Sequence, residues 1–273
     1  MNLKRIALIA SLMSFTCVTF AESFTWSVVP QFTSSAIHHD WTPILKELEK
    51  RTGHTFTLKI YETFNEFETD FLVGKSDFSY MNPYHILMAK QTQNYTPLIR
   101  DEKSQLTGIL VSRRGSNIQT LSDLQNQKIA FAAPNAFAAS LYMQALLKNK
   151  EHIDITPYYA GSHSNAYRQV LTGQTQAAGG VYRTLTKEPP EAQAALQVIY
   201  KTPSTAAHAI VVHPRVSAKI QIEIQQAILD LTQTKKGQNL LNAILIPKPV
   251  KASYQQDYQV LEQLNLTPIV YGQ

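Results

Sequence analysis

The chain has 273 residues, of which 44% are hydrophobic, and carries a formal net charge of +5 with one cysteine and eight histidines. A single cysteine excludes an internal disulfide framework and a thiolate metal cluster. Lys and Arg are scattered, in nothing longer than doublets such as Arg113-Arg114 and Lys235-Lys236, which excludes the basic stripe of a nucleic-acid binder.

The first residues carry a targeting pattern. Lys4 and Arg5 precede an apolar run from Ile6 to about Phe20, and Thr19-Phe20-Ala21 ends in a small residue. This predicts a cleaved secretory signal peptide over 1–21, since the run is too short and wrongly flanked for a membrane span. An uncleaved anchor is the alternative. Cys17 follows Thr16, a poor lipobox, so lipid anchoring is not expected. Cleavage after Ala21 removes the only thiol and leaves a net charge of +3, in a chain that is expected to work in the periplasm.

Strand and helix patterns then alternate. Phe24–Val29 reads as a strand stopped by Pro30. Trp41, Ile44, Leu45 and Leu48 have helical spacing, with Asp40 as the expected N-cap and Gly53 as the stop. Thr55–Tyr61 is a strand, Asn65–Val73 a helix ended by Gly74, and Asp77–Met81 a strand broken by Asn82-Pro83. A second cycle runs through strand Gly108–Ser112, a short helix at Leu121–Leu124, strand Lys128–Ala132 and a helix over Ala138–Lys148. It continues with strand Ile155–Tyr159, helix Asn165–Leu171 closed by Gly173, and strand Ala177–Val181. Ala207–Val212 is a returning strand. Ile220, Ile224, Ala227, Ile228 and Leu231 stripe a helix that Gly237 is expected to end, and Tyr254, Tyr258 and Leu261 mark the last helix.

This order predicts an α/β chain with mixed, mainly parallel sheets covered by helices. The organisation expected is discontinuous: lobe one from residues 22–111 and 207–273, lobe two from 112–206. The crossings near Gly108–Ser112 and Ala207–Val211 form the hinge. A cleft between two such lobes is a common place for a small ligand.

Three stretches fall at the carboxyl ends of strands, where open α/β sheets place ligands. "SYMNPYHIL" offers Tyr80, Asn82 and Tyr84, which serve equally to cap and pack the next helix. In "FAAPNAFAASLY" the small residues Ala136, Ala138 and Ala139, with Phe137 and Ser140, open a helix with Asn135 as N-cap. Unpaired amides in a first turn suit an oxyanion, although any helix needs a cap. In "AGSHSNAYRQVL" Ser162 or Ser164 caps a helix whose first turn holds His163. Ser162 and His163 are neighbours and point in different directions, so they are not a nucleophile and its base. The chain has no nucleophile elbow, no metal-ligand spacing and no phosphate loop. No catalytic residue, metal or cofactor is expected.

Taken together, "ELEKRTGHTFTLKIYETFNEFETDFLVGKSDFSYMNPYHIL", "IQTLSDLQNQKIAF", "AGSHSNAYRQVLTGQTQAAGGV" and "AHAIVVHPRV" resemble, in order and spacing, the periplasmic substrate-binding proteins of phosphate, phosphite and phosphonate ABC transporters. The resemblance runs from Val28 to about Pro247. It implies a two-lobed type II periplasmic binding fold holding a small anion between helix N-termini, hydroxyls and a histidine that matches His163. Residues Asn135 to Ala139 match the family's hydroxyl-rich helix start, but Ala136 and Ala138 stand where hydroxyls are usual. Arg183 stands in a region where the family has carboxylates that hold an aminoalkyl tail. The implied partners are a small anionic ligand and an inner-membrane ABC permease, with a monomer expected and no nucleic acid. The alternative is a ligand-sensing subunit that signals to a membrane kinase.

Overall fold

A computed structural model describes residues 21–264 and 266 of the chain. The expected signal segment, Cys17 included, lies outside the described residues except for Ala21.

The chain opens with β1 (Ser23–Val28), α1 (Ser34–Thr52), β2 (Thr55–Lys59), α2 (Phe64–Leu72), β3 (Phe78–Met81), α3 (Pro83–Gln93) and β4 (Thr96–Asp101). Helix α1 begins a turn and a half before the expected Asp40. Thr33 caps it, its hydroxyl accepting from the Ala36 amide, and Asp40 sits mid-helix on the solvent side, where hydroxyl and carboxylate caps have no free amide to reach. Pro43 is tolerated inside this helix. Gly53 ends it in the left-handed conformation, with φ 73°, as expected of a C-terminal glycine.

β5 (Gln105–Leu106) and β6 (Gly108–Arg113) follow, then β7 (Lys128–Phe131), α4 (Leu141–Asn149), β8 (Thr156–Tyr159), α5 (His163–Leu171), β9 (Ala177–Val181), α6 (Tyr182–Leu185), α7 (Pro190–Ala195) and β10 (Leu196–Lys201). The chain returns through β11 (Thr205–Ala206) and β12 (Ala209–Val212). α8 (Ala218–Leu229), α9 (Lys235–Ala243), β13 (Pro249–Lys251) and a set of π and 3-10 turns over Tyr254–Leu264 complete it. Gly237 does not end α8. It lies buried within α9, where a Cβ would meet the Leu231 carbonyl oxygen at 2.0 Å, so glycine lets α9 pack directly on the preceding turn.

The strands form two sheets, ordered β13-β4-β12-β3-β1-β2 and β10-β6-β9-β7-β8. Each is parallel toward one edge, β1 with β2 and β3 in the first and β7 with β8 and β9 in the second. The parallel part is narrower than expected, because β12 enters antiparallel between β3 and β4 and β6 lies antiparallel to β9 and β10. Between the sheets β5 and β11 pair with each other alone, Leu106 opposite Thr205 and Gln105 opposite Ala206. Both chain crossings thus run side by side at 105–106 and 205–206. The boundary expected between residues 111 and 112 falls within β6, all of which belongs to the smaller sheet. Tyr258 donates its hydroxyl to the Ala207 carbonyl at 2.9 Å, bracing the return crossing.

An aromatic cluster fills the larger lobe. Trp26 stacks on Phe78 at 5.0 Å and meets Trp41 at 6.1 Å. β1 alternates Phe24, Trp26 and Val28, all buried in this cluster, with Ser23, Thr25 and Ser27, the period of two expected of a strand.

Candidate functional site

The carboxyl ends of β3, β7 and β9, with the segments that follow them, face one another across the two sheets. Asn82 follows β3. Its Oδ1 accepts from the His85 amide at 2.8 Å, capping α3, while Nδ2 donates across to the Asn135 carbonyl at 3.2 Å. Tyr84, the second residue of α3, donates to the Leu266 carbonyl and stacks on Phe137.

The segment after β7 departs from expectation. Residues 137–140 form a turn, and α4 starts only at Leu141, with Ser140 in a non-helical conformation. Asn135 is not its cap. The Asn135 amide is buried and donates instead to the Glu68 carboxylate at 3.1 Å. Ser140 donates its amide to the Ala136 carbonyl and Tyr142 donates to Phe137 one residue further back than a helix would, which separates the turn from α4. The Ser140 hydroxyl accepts from Gln144 Nε2.

Why the turn carries alanines is clear from what lies beneath it. A Cβ on Gly108 would meet the Ala138 carbonyl oxygen at 2.0 Å, and one on Gly179 would meet that of Ala139 at 2.1 Å. The two glycines let this turn lie directly on β6 and β9. In a trans peptide the carbonyl and N–H point in opposite directions, so seating the Ala138 carbonyl on the sheet turns the Ala139 amide away from it. Among the described residues the amides of Phe137, Ala138 and Ala139 donate to no protein acceptor.

After β8, Ser162 caps α5, its hydroxyl accepting from the Asn165 amide at 3.2 Å. Ser164 instead donates to Glu188. His163 opens the helix and is 2% exposed, with Nδ1 unpartnered. Burial, with the Arg183 guanidinium adding to it, pushes its pKa down to about 3. The ring is therefore neutral at physiological pH, with one N–H to give.

A narrow cleft brings Asn82, Ala136–Ala139 and His163 together with Gln31, Phe64, Leu106, Val181 and His208. No carboxylate lines it. Tyr80, Tyr84, Asn135, Ser140 and Ser162 stand behind this lining and hold it in place.

Several residues of the site escape sequence reading. Gln31, just beyond β1, meets His208 Nε2 with its side-chain amide at 2.6 Å. Arg183, on the short helix after β9, reaches back to His208 Nδ1 and donates to the Tyr80 hydroxyl at 3.1 Å. A guanidinium only donates, so His208 Nδ1 accepts, and its Nε2–H donates to the amide oxygen of Gln31, whose O and N are assigned from the bonding. Burial, reinforced by Arg183, drives the His208 pKa well below the usual range. Burial also raises the Tyr80 pKa. Behind the lining Glu68 accepts from His85 Nε2 at 2.9 Å as well as from Asn135. Of these, only Arg183 stood out in the sequence, and only by its place after β9. Among the described residues no group of His, Cys, Asp and Glu is placed to hold a metal ion.

The site is a neutral-to-positive pocket with amide and imidazole donors and no acid: it suits a small anion. Comparisons with known proteins agree in kind. Residues 26–258 match the family described as ABC transporter, phosphonate, periplasmic substrate-binding protein. A curated relative, the phosphate-import protein PhnD of Mycolicibacterium smegmatis, is 25% identical over 182 residues, which is 60% of this chain and 56% of that protein. The match thus spans little more than half the relative's length. Among solved structures, a binding-protein component of an ABC phosphonate transporter from Pseudomonas aeruginosa superposes with a TM-score of 0.82 at 15% identity, covering 90% of this chain and 86% of its own. PhnD1 from Prochlorococcus marinus, solved with methylphosphonate, gives 0.78 at 18% identity, covering 89% and 97%.

Proposed function

The chain belongs to the family of periplasmic substrate-binding proteins of phosphonate ABC transporters, and from that premise we propose that it captures a small phosphorus oxyanion in the cavity between its lobes and presents it to a membrane permease. The observation that carries the reading is the lining itself. Three amides of the 137–139 turn and the neutral His163 converge on one enclosed space with Asn82, Gln31 and His208, and no carboxylate opposes an anion there. Hydrogen bonds to a charged acceptor are roughly twice as strong as neutral ones, and exclusion of water strengthens them further.

The lining comes from both lobes: Gln31, Asn82 and His208 from the larger, Ala136–Ala139 and His163 from the smaller. Ligand would therefore bridge the lobes, and the paired crossings β5 and β11 would be the hinge about which they close. In this reading lobe one comprises the strands of the six-stranded sheet and lobe two those of the five-stranded sheet. Delivery would take place in the periplasm, with the protein acting as a monomer and turning nothing over.

Thermal denaturation with phosphate, phosphite, methylphosphonate and sulfate tests the reading. A ligand held at 100 times its Kd adds about 2.7 kcal/mol of stability, and one or more of the phosphorus anions should do so. If all four leave the melting curve unmoved, the oxyanion reading fails.

A further inference from the structure

Arg183 has no carboxylate partner. Its guanidinium donates to the Tyr80 hydroxyl and to His208, and makes no ion pair among the described residues. Nε is buried without an acceptor. The two side chains it touches, Tyr80 and His208, are neutral. A charge held this way is costly unless something negative completes it.

The side chain also lies at a junction. Arg183 lines an open recess of about 520 Å³ together with Ser104, Gln105, Leu106 and Thr107. Leu106 and Val181 border both this recess and the smaller cavity that holds the amides and His163. A ligand whose phosphoryl group sits on the 137–139 amides can thus extend past Leu106 and Val181 toward Arg183. The guanidinium's field already reaches the inner cavity, where it helps hold both imidazoles neutral.

We propose that Arg183 is the specificity-determining residue of the cleft and that the preferred ligand is a phosphonate bearing a second acidic group, a phosphonocarboxylate, whose carboxylate pairs with the guanidinium. This rests on the oxyanion reading of the inner cavity. A planar guanidinium matches a carboxylate in two parallel bonds. It repels an ammonium at the same place, so aminoalkylphosphonates are excluded by the charge that selects carboxylates.

The test is isothermal titration calorimetry of the full mature chain with phosphonoacetate, methylphosphonate and 2-aminoethylphosphonate, on wild type, Arg183→Gln and Arg183→Lys. Phosphonoacetate should bind wild type about tenfold or more tighter than methylphosphonate, the increment of one charge-assisted pair, and 2-aminoethylphosphonate should bind more weakly than either. Arg183→Gln should abolish the ranking while still binding methylphosphonate, and Arg183→Lys should keep part of it. Methylphosphonate binding with no preference for phosphonoacetate overturns this proposal alone, as does an equal loss for all ligands in Arg183→Gln. If wild type binds none of the three but phosphate or phosphite raises its melting point, this proposal falls alone; if those anions fail as well, the oxyanion reading falls with it.

Discussion

Asn135 donates from the smaller lobe to the Glu68 carboxylate of the larger at 3.1 Å, and both side chains are buried. The same carboxylate receives His85 Nε2 at 2.9 Å through its other oxygen. Asn82 closes the loop, capping α3 at His85 and donating to the Asn135 carbonyl. One carboxylate thus fixes the base of the 137–139 turn relative to α3, and a polar network of this kind holds its geometry only while every member is satisfied.

Replacing Glu68 with Ala should therefore cost more than an exposed hydrogen bond. It removes the acceptor of the buried His85 ring and one acceptor of Asn135, and a buried donor deprived of its partner costs about 1–3 kcal/mol. Glu68→Gln keeps the shape and one acceptor and should cost clearly less. Urea denaturation of both variants measures the difference. Equal stability of wild type and Glu68→Ala would show that the network holds nothing.

How much of this was legible depends on distance along the chain. The Ser162 cap is local chemistry, a hydroxyl three residues before the amide it accepts from, and the sequence sufficed. Asn135 looked like the same chemistry and is not, because a turn follows it and α4 starts only at Leu141; its side-chain amide donates to Glu68, 67 residues away. Gln31 and His208 are 177 residues apart; no pattern of period or spacing joins them, and only the folded six-stranded sheet, in which β1 and β12 both flank β3, does. The glycines of "AAGGVY" read as a small-residue strand, but what demands them, the Ala139 carbonyl over Gly179 and the Tyr167 hydroxyl over Gly180, belongs to other elements.

His163 is expected to matter for binding more than for folding. Its ring lines the cavity and its Nδ1 has no protein partner to lose. His163→Ala should weaken methylphosphonate binding by about tenfold to a hundredfold, the cost of one hydrogen bond to a charged group. Calorimetry would read this. Unchanged affinity would remove His163 from the site.

The same residue predicts a pH dependence with a definite sign. His163 has a folded pKa of about 3 against an ordinary value of 6.5, through burial first and Arg183 second. Between those values the unfolded chain binds a proton that the folded chain refuses. Stability is then complete above about pH 6.5 and falls as the pH drops toward 3, with a slope of up to about 1.4 kcal/mol per pH unit from this one ring. His208, also depressed, adds to it with the same sign. Urea midpoints of wild type and His163→Gln measured from pH 7 to pH 4 should diverge, with wild type falling faster. Parallel curves would mean that the imidazole titrates freely.

The two glycines under the 137–139 turn give the sharpest link from packing to binding. Gly179 lies in β9, paired with β6 and β7, so its backbone has no room to retreat. An added methyl would stand 2.1 Å from the Ala139 carbonyl oxygen and 2.5 Å from the Phe131 ring, well inside van der Waals contact. The sheet is fixed on both sides, so the turn is what yields. Overpacking of this kind costs about 1–3 kcal/mol, and here it also tilts the amides that face the cavity. Gly179→Ala should lower both stability and affinity, whereas Gly173→Ala, at a surface turn where a Cβ meets nothing within 4 Å, should lower stability only, through its positive φ of 73°. Denaturation and methylphosphonate titration of the two variants, side by side, separate strain in the scaffold from displacement of the donors. An affinity loss in Gly173→Ala equal to that in Gly179→Ala would show that the turn's seat on β9 does not set the geometry of the amides.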